Sequence, residues 1–185
     1  KDMELNINAN ITFQRNKLLS LSGMYNGEML SASEYKSLAS LDGAGFHGGY
    51  NHIVYQMVGQ PLGVFYLPHS TGLESDGNGG YTYGIADLNG GGVSLEDGED
   101  RYVAGQAVPK TILGSNISFR YKRFDLSLQI NGAFGHKIYN GTSLTYMNMN
   151  IFPDYNVMKK APQQNIKDQT ATDYWLEKGD YVNFD

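Results

Sequence analysis

The side chains best suited to chemistry in this sequence lie in a glycine-rich stretch, residues 87–92. A calcium loop places oxygen ligands at positions one, three, five and twelve, with a glycine at position six. Counted from Asp87, Asn89 and Gly92 fit this pattern, whereas positions five and twelve are both glycines. Nearby carboxylates offer further oxygens: Glu96, Asp97, Glu99 and Asp100. Asp87 and Asn89 therefore have two interpretations, a calcium site and a plain glycine-rich turn.

Patterns for catalysis are missing from the sequence. The histidines have none of the spacings of a zinc site: His47, His52, His69 and His136. No Gly-x-Ser-x-Gly nucleophile elbow occurs. Carboxylates such as Glu74 and Asp76 are frequent, but no pair has a pattern that assigns an acid and a base. We predict no enzymatic activity, and calcium is the single cofactor that the sequence indicates.

Aromatic side chains are the second group with binding chemistry, because their flat apolar faces stack on sugar rings. They can equally pack the interior of their own segment. The candidates for ligand binding are Tyr50, Phe65, Tyr66, Tyr81 and Tyr83.

Composition limits the classes of partner. The 185 residues include 19 Asp and Glu against 14 Lys and Arg, a net charge of −5, which argues against nucleic acid. There is no cysteine, so no disulfide or thiolate metal site is predicted. No run of eighteen apolar residues predicts a membrane helix.

The elements that must position these side chains begin with a long strand. From Met3 to Gln14 the odd positions are apolar and the even positions are polar, which is the pattern of a strand with one apolar face. Twelve such residues reach roughly 40 Å, or about 28 Å of height at a tilt of about 45°. This is the thickness of the hydrocarbon core of a bilayer.

A second alternation runs from Leu113 to Phe134 and changes parity at Lys122-Arg123. With those two residues as the loop of a hairpin, both strands place their apolar residues on one face. The predicted cross-strand pairs are Tyr121 with Phe124, Phe119 with Leu126, and Ile117 with Leu128. Long strands with one apolar and one polar face indicate an all-β, antiparallel outer-membrane barrel.

We place strands at about 3–19, 111–121, 124–138 and 177–185. They are joined by one tight turn at 122–123 and by long segments at about 20–110 and 139–172. Because outer-membrane barrels have short periplasmic turns and long extracellular loops, both long segments are predicted to be extracellular. Within the first, Ser31 to Glu34 has the spacing of a capping box and predicts a short helix through Leu41, with a polar turn as the alternative.

Several motifs resemble the SusC/RagA family of TonB-dependent outer-membrane transporters. Met57-Val-Gly-Gln-Pro-Leu-Gly-Val-Phe-Tyr66 is similar to its Gly-Gln-Pro element, and Gly105-Gln-Ala-Val-Pro-Lys110 to its entry into a strand. The segments 119–128 and 132–141 resemble its late hairpin. Asp173 to Asn183 resembles the segment before one of its last strands. In order and spacing the resemblance covers most of 57–185.

The resemblance implies a C-terminal slice of a 22-stranded transmembrane barrel in the outer membrane. In that family the barrel holds an N-terminal plug domain, which this chain lacks. It works with a SusD-like surface lipoprotein and is driven by the TonB complex, contacted through the N-terminal part that is also missing here. The cargo is an oligosaccharide or a peptide. We therefore expect an internal piece of a larger transporter, in contact with membrane lipid.

Two other hypotheses remain open. One is a soluble β-sandwich that binds carbohydrate, which predicts a second sheet packed against Leu126, Leu128 and Ile130. The other is a fragment of a surface glycan hydrolase, which predicts activity that depends on one loop carboxylate.

Overall fold

The structure, a computed structural model, describes residues 3–30, 34–40, 52–96, 98–168 and 170–173. Strands predominate among these residues and the helices are short, so the fold is all-β. The predicted strand at 177–185 lies outside the described residues.

The elements follow one another in a simple order. The strands are β1 (Met3–Phe13), β2 (Gly23–Tyr25), β3 (Glu28–Leu30), β4 (Tyr35–Ser40), β5 (His52–Met57), β6 (Val64–Pro68), β7 (Ser70–Ser75), β8 (Tyr81–Ile85), β9 (Arg101–Gln106), β10 (Thr111–Tyr121) and β11 (Phe124–Phe134). The helices are α1 (Gly141–Met147), a 3₁₀ turn (Met149–Ile151) and α2 (Ala161–Gln164).

The three longest strands form one antiparallel sheet in the order β1-β10-β11. Each strand has 11 residues, and all three are paired over their full length without a bulge. Because residues paired across the three strands point to the same face, the pairing places most of the apolar side chains on one face and most of the polar ones on the other. The middle row, for example, consists of Asn8, Asn116 and Gln129.

The predicted hairpin register is confirmed. Tyr121 pairs with Phe124, Phe119 with Leu126, and Ile117 with Leu128, as predicted. Lys122 adopts a left-handed backbone conformation with φ of 54°, which allows the chain to reverse within two residues. Lys122 also places its ammonium 5.3 Å from the centroid of the Tyr121 ring.

Two of these strands end earlier than their predicted bounds. β1 ends at Phe13 instead of about residue 19, because the chain leaves the sheet and bonds the segment 59–62. Leu18 donates from its backbone amide to Gln60 O at 2.9 Å. β11 ends at Phe134 instead of about residue 138, since Gly135 follows with φ of 76° and the next residues turn toward β9.

The predicted helix after Ser31 is wrong. Tyr35–Ser40 is a strand, β4, which pairs antiparallel with β5 from Tyr35 opposite Met57 onward. Local capping residues favoured a helix, but pairing with a neighbouring strand decided the conformation. Ser31 and Leu41 themselves lie outside the described residues.

Described residues of 52–106 and 139–173, most of the two long connections, pack together into one unit, which we call the folded loop unit. Its first part contains strands β5 to β9, and β4 extends its main sheet to the order β4-β5-β6-β9. All five residues of β6 are buried at its centre. No sustained alternation predicted these strands, because they are only five or six residues long and some are buried on both faces.

The second connection packs against the first. Tyr83 of β8 is buried with Leu144 of α1 and with Ile166. Ala171 is buried with Phe65 and other residues of the main sheet. The hydrophobic core of the described residues therefore lies in the folded loop unit, whereas no residue of the β1-β10-β11 sheet is buried. Helices long and apolar enough to cross a membrane do not occur in the described part of the chain.

Candidate functional site

The first candidate site is the apolar face of the β1-β10-β11 sheet. Large apolar side chains cover this face from one end to the other and are exposed: Met3, Leu5, Ile7, Ile11, Phe13, Tyr121, Phe124, Leu126, Leu128, Ile130 and Phe134. Aromatic rings lie at both ends, with Tyr121 beside Phe124 in the first row and Phe13 and Phe134 in the last. A contiguous apolar surface of this kind marks contact with another protein or with a membrane.

The sandwich hypothesis required a second sheet on this face. Leu126, Leu128 and Ile130 keep 54%, 49% and 42% of their surface exposed. Among the described residues, therefore, no second sheet packs against them.

The opposite face of the sheet is polar, and its centre is uncharged. Over three successive rows its side chains are amides, hydroxyls and one glycine: Asn6, Ser118, Ser127, Asn8, Asn116, Gln129, Asn10, Gly114 and Asn131. Charges occur in the row nearest the tight turn, where Arg120 Nε donates to Asp125 Oδ1 at 2.7 Å. This face therefore suits water or a polar partner.

In the folded loop unit a buried guanidinium holds several strands together. Arg101 at the start of β9 donates from Nη1 to Tyr55 Oη at 2.6 Å and from Nη2 to the His52 carbonyl at 3.1 Å. Its guanidinium carbon also lies 5.6 Å from the Tyr55 ring centroid and 5.9 Å from that of Tyr66. Hydrogen bonds and cation–π contacts are the interactions that compensate a buried charge. This arrangement is structural.

Asp173 joins the end of the second connection to the first. Its Oδ1 accepts a hydrogen bond from the Ser70 amide at 2.7 Å. Its Oδ2 accepts one from Tyr102 Oη at 2.9 Å and lies 2.7 Å from His69 Nδ1. The carboxylate is nearly buried, whereas His69 is half exposed. These contacts fasten residue 173 to the corner between β6 and β7 and to β9.

The contact with Asp173 also changes the pKa of Tyr102. Its burial and the adjacent Asp173 carboxylate raise the pKa of the phenol to about 12. Both effects disfavour the phenolate, since burial removes its hydration and the carboxylate repels its charge. Tyr102 therefore stays protonated and donates to Asp173 over the physiological pH range.

The residues of the predicted calcium loop bind backbone amides. Asp87 accepts from the amide of Gly90 at 2.6 Å through Oδ1 and from that of Gly92 at 3.1 Å through Oδ2. Asn89 Oδ1 accepts from the Gly91 amide at 2.7 Å. Within the described residues no three His, Asp or Glu side chains converge to hold a metal ion. In the structure the oxygens of Asp87 and Asn89 thus make the hydrogen bonds of a glycine-rich turn, one of the two interpretations, and Asp97 lies outside the described residues.

Asp100 closes the same loop from its other end. Its carboxylate accepts from the amides of Leu88 at 2.6 Å and Ser94 at 2.8 Å. The hydrogen bonds from Ser94 and Leu88 hold the pKa of Asp100 below its usual value, because they stabilise the charged form.

The aromatic candidates fall into two groups. Phe65, Tyr66 and Tyr83 are buried, so they pack the interior of the folded loop unit, the alternative that the sequence left open. Tyr81 keeps 42% of its surface exposed and is the described candidate with a face available to a ligand. Tyr50 lies outside the described residues.

Sequence reasoning missed Arg101, Tyr102 and Asp173 as organising residues. Their partners are distant in the chain: 46 residues separate Arg101 from Tyr55, and 71 separate Tyr102 from Asp173. No local pattern carries such information. The one available signal was the position of Asp173 at the start of a family-like motif.

Comparison with known proteins gives one informative similarity. No protein-family model matches the chain. The chain is 28% identical over 145 residues to the TonB-dependent receptor P3 of Formosa agariphila, an alignment that covers 67% of this chain and 14% of that receptor. The chain thus spans 14% of the length of the curated relative that it matches. This similarity supports a relationship to the TonB-dependent receptors.

Proposed function

We propose that this chain is a section of the β-barrel wall, with its extracellular loops, of a TonB-dependent outer-membrane transporter. The observation that carries the proposal is the β1-β10-β11 sheet, with one face apolar and exposed and the other polar. The similarity to a TonB-dependent receptor supports the same assignment.

The dimensions of the sheet fit a membrane. Strands of 11 residues reach roughly 36 Å, or about 26 Å of height at a tilt of about 45°. The apolar band of an outer-membrane barrel is about 25 Å tall and is bordered by aromatic residues at both interfaces. Phe124 at one end and Phe134 at the other lie at these two borders.

The open edges of the sheet argue that further strands complete it. β1 and β11 each pair on one side only among the described residues. In a membrane an unpaired edge leaves backbone amides and carbonyls without partners, so only a closed barrel is stable. We infer that the remaining strands belong to a large barrel, of 22 strands as the resemblance implies.

The unequal connections set the orientation. The tight turn at 122–123 lies at the periplasmic end, and the folded loop unit lies outside the cell. There it contacts a SusD-like surface lipoprotein and the cargo, an oligosaccharide or a peptide. The TonB complex acts through an N-terminal part of the transporter. We assign this section a role in transport and no catalytic role.

The test is the environment of alternate residues of β11. Single cysteines at positions 126–131 of the full-length transporter are spin-labelled in lipid bilayers, and collisions with oxygen and with a water-soluble nickel chelate are measured. We expect Leu126→Cys, Leu128→Cys and Ile130→Cys to favour oxygen, which concentrates in lipid. Ser127→Cys, Gln129→Cys and Asn131→Cys should favour the chelate. Equal chelate accessibility at all six positions would refute the barrel wall.

A further inference from the structure

The segment that follows β1 carries two exposed cations, Arg15 and Lys17, which we call the border cations. Residues 14–20 continue from Phe13 without a turn or bend. Within the described part of the chain, neither border cation makes a side-chain hydrogen bond or an ion pair. Their charges therefore have no partner among the described residues.

The even-numbered residues of this segment hold it against the protein. Gln14 is half-buried and donates through its backbone amide to Lys110 O at 3.0 Å. Asn16 Oδ1 accepts a hydrogen bond from the Leu62 amide at 2.7 Å. Because successive side chains of an extended chain point to opposite sides, the border cations lie on the side opposite these contacts. This is the side of Phe13, whose ring ends the apolar face of the sheet.

Carboxylates are absent around the border cations. The sequence has no Asp or Glu between Glu4 and Glu28. The two segments that bond residues 14–18, at 57–63 and 107–112, contain none either. The whole sequence has a net charge of −5, so this local excess of positive charge runs against the composition. Such a surface attracts anions.

The height of the border cations matches the headgroup layer of a membrane. At a tilt of about 45°, each residue of the chain climbs about 2.3 Å. Counted from Asn8 in the middle row, Arg15 lies about 16 Å and Lys17 about 21 Å from the membrane midplane. The hydrocarbon core reaches about 15 Å from the midplane and the headgroups reach about 20–22 Å. Both cations therefore lie at the level of lipid phosphates.

We propose that the border cations bind the phosphate of an anionic lipid in the outer leaflet. The inference rests on the proposed function, because that function turns the side of Phe13 toward lipid and places the folded loop unit outside the cell. A guanidinium donates two parallel hydrogen bonds to phosphate oxygens, and an ammonium adds a compact point charge. The acyl chains of the same lipid pack on the apolar face that begins at Phe13. A free phosphate would lack this second contact.

The test compares two lipids beside Ile11, an exposed residue of the apolar face next to Phe13 on the same side of β1. In the full-length transporter in phosphatidylcholine vesicles, a fluorophore on Ile11→Cys is quenched by lipids with brominated acyl chains. Brominated phosphatidic acid, which carries a phosphate monoester, is compared with brominated phosphatidylcholine of the same chain length. The ratio of the two quenching curves gives the enrichment of phosphatidic acid at this position.

We expect phosphatidic acid to be enriched about 25-fold, about fivefold from each border cation. Arg15→Gln or Lys17→Gln alone should reduce the enrichment to about fivefold, and the double variant should abolish it. Lys159→Gln combined with Lys160→Gln is the matched control. It removes two charges from exposed lysines of the second connection and should leave the enrichment unchanged.

Four results would overturn the phosphate site. They are equal quenching by the two lipids, an enrichment that survives the double variant of the border cations, an equal loss of enrichment in the control variant, and displacement of the lipid by excess inorganic phosphate. The control result would show an effect of net charge, and the last would assign the cations to a soluble anion. Failure of the barrel wall is seen separately, because neither brominated lipid then quenches the fluorophore on Ile11→Cys.

Discussion

The depth dependence of a charge on the apolar face is the sharpest test of the barrel wall. Each residue along a strand tilted by about 45° climbs about 2.3 Å. In the proposed barrel the middle row of the sheet, which contains Gln129, lies at the membrane midplane, and Leu128 is then about 2 Å from it. Phe124 and Phe134 lie five residues from that row, about 12 Å from the midplane on either side.

An arginine on the lipid face costs about 2–4 kcal/mol at the midplane and about 0–1 kcal/mol near the interfaces. We therefore expect Leu128→Arg to destabilise the protein by about 2–4 kcal/mol relative to Leu128→Ala. The same comparison should give about 0–1 kcal/mol at Phe124 and at Phe134. Comparison with alanine at each position removes the effect of the lost apolar side chain.

The assay is urea unfolding of the full-length transporter from lipid vesicles, followed by tryptophan fluorescence. Gln129→Arg, one residue along the same strand but on the polar face, is the matched control and should cost little. The barrel wall is refuted if Leu128→Arg and Gln129→Arg have equal effects, or if the cost at Phe134 matches that at Leu128.

Three further predictions concern the folded loop unit. The pKa of Tyr102 is raised from about 10 in the unfolded chain to about 12 in the folded protein. The contact with Asp173 therefore stabilises the fold fully below about pH 10, and this stabilisation is lost as the pH rises through about 12. Limited proteolysis of the loops should accelerate between these two pH values, and Tyr102→Phe should abolish the acceleration. If proteolysis of the variant depends on pH as in the wild type, the role given to Tyr102 is wrong. Arg101→Met should speed amide hydrogen exchange in β5 and β9 by the equivalent of about 2–3 kcal/mol of local opening free energy, because hydrogen bonds from a charged donor are lost. Tyr55→Phe removes only one of these hydrogen bonds and should have a smaller effect. Asp87→Ala should speed hydrogen exchange of the two glycine amides that Asp87 binds. A calcium chelator should leave the exchange of these amides in the wild type unchanged. If the chelator speeds it as much as the variant does, calcium binding is favoured.

The long strands could be predicted from the sequence because their information is local. The change of parity at Lys122-Arg123 sufficed to pair Phe119 with Leu126, since a register error would have turned one apolar face to the other side. In the folded loop unit the same reasoning fails. β6 is buried on both faces and shows no alternation. β4 follows residues with a local signal for a helix and is nevertheless a strand, paired with β5 from a distant part of the chain.

Some of the site residues could likewise be predicted from the sequence, and others could not. The polar face of the sheet could be predicted, because it follows from the same alternation as the apolar face. The burial of Phe65 and Tyr83 could not, since it depends on residues far along the chain, Ala171 and Ile166. Single aromatic residues in a loop have the same appearance in a sequence whether they bind a ligand or pack a core.

The pairing of β1 with β10 also sets an order of assembly. Phe13 and Thr111 are partners although roughly a hundred residues separate them, and closing a flexible loop of that length costs on the order of 4 kcal/mol. The folded loop unit reduces this cost, because its own contacts bring the two ends together: Leu18 bonds Gln60 on one side, and Val64, close to Gln60, pairs with Gln106 shortly before β10 on the other. Local hairpins form faster than distant pairs. The β10-β11 hairpin and the folded loop unit should therefore form first, after which β1 pairs with β10 progressively from Phe13 down to Met3.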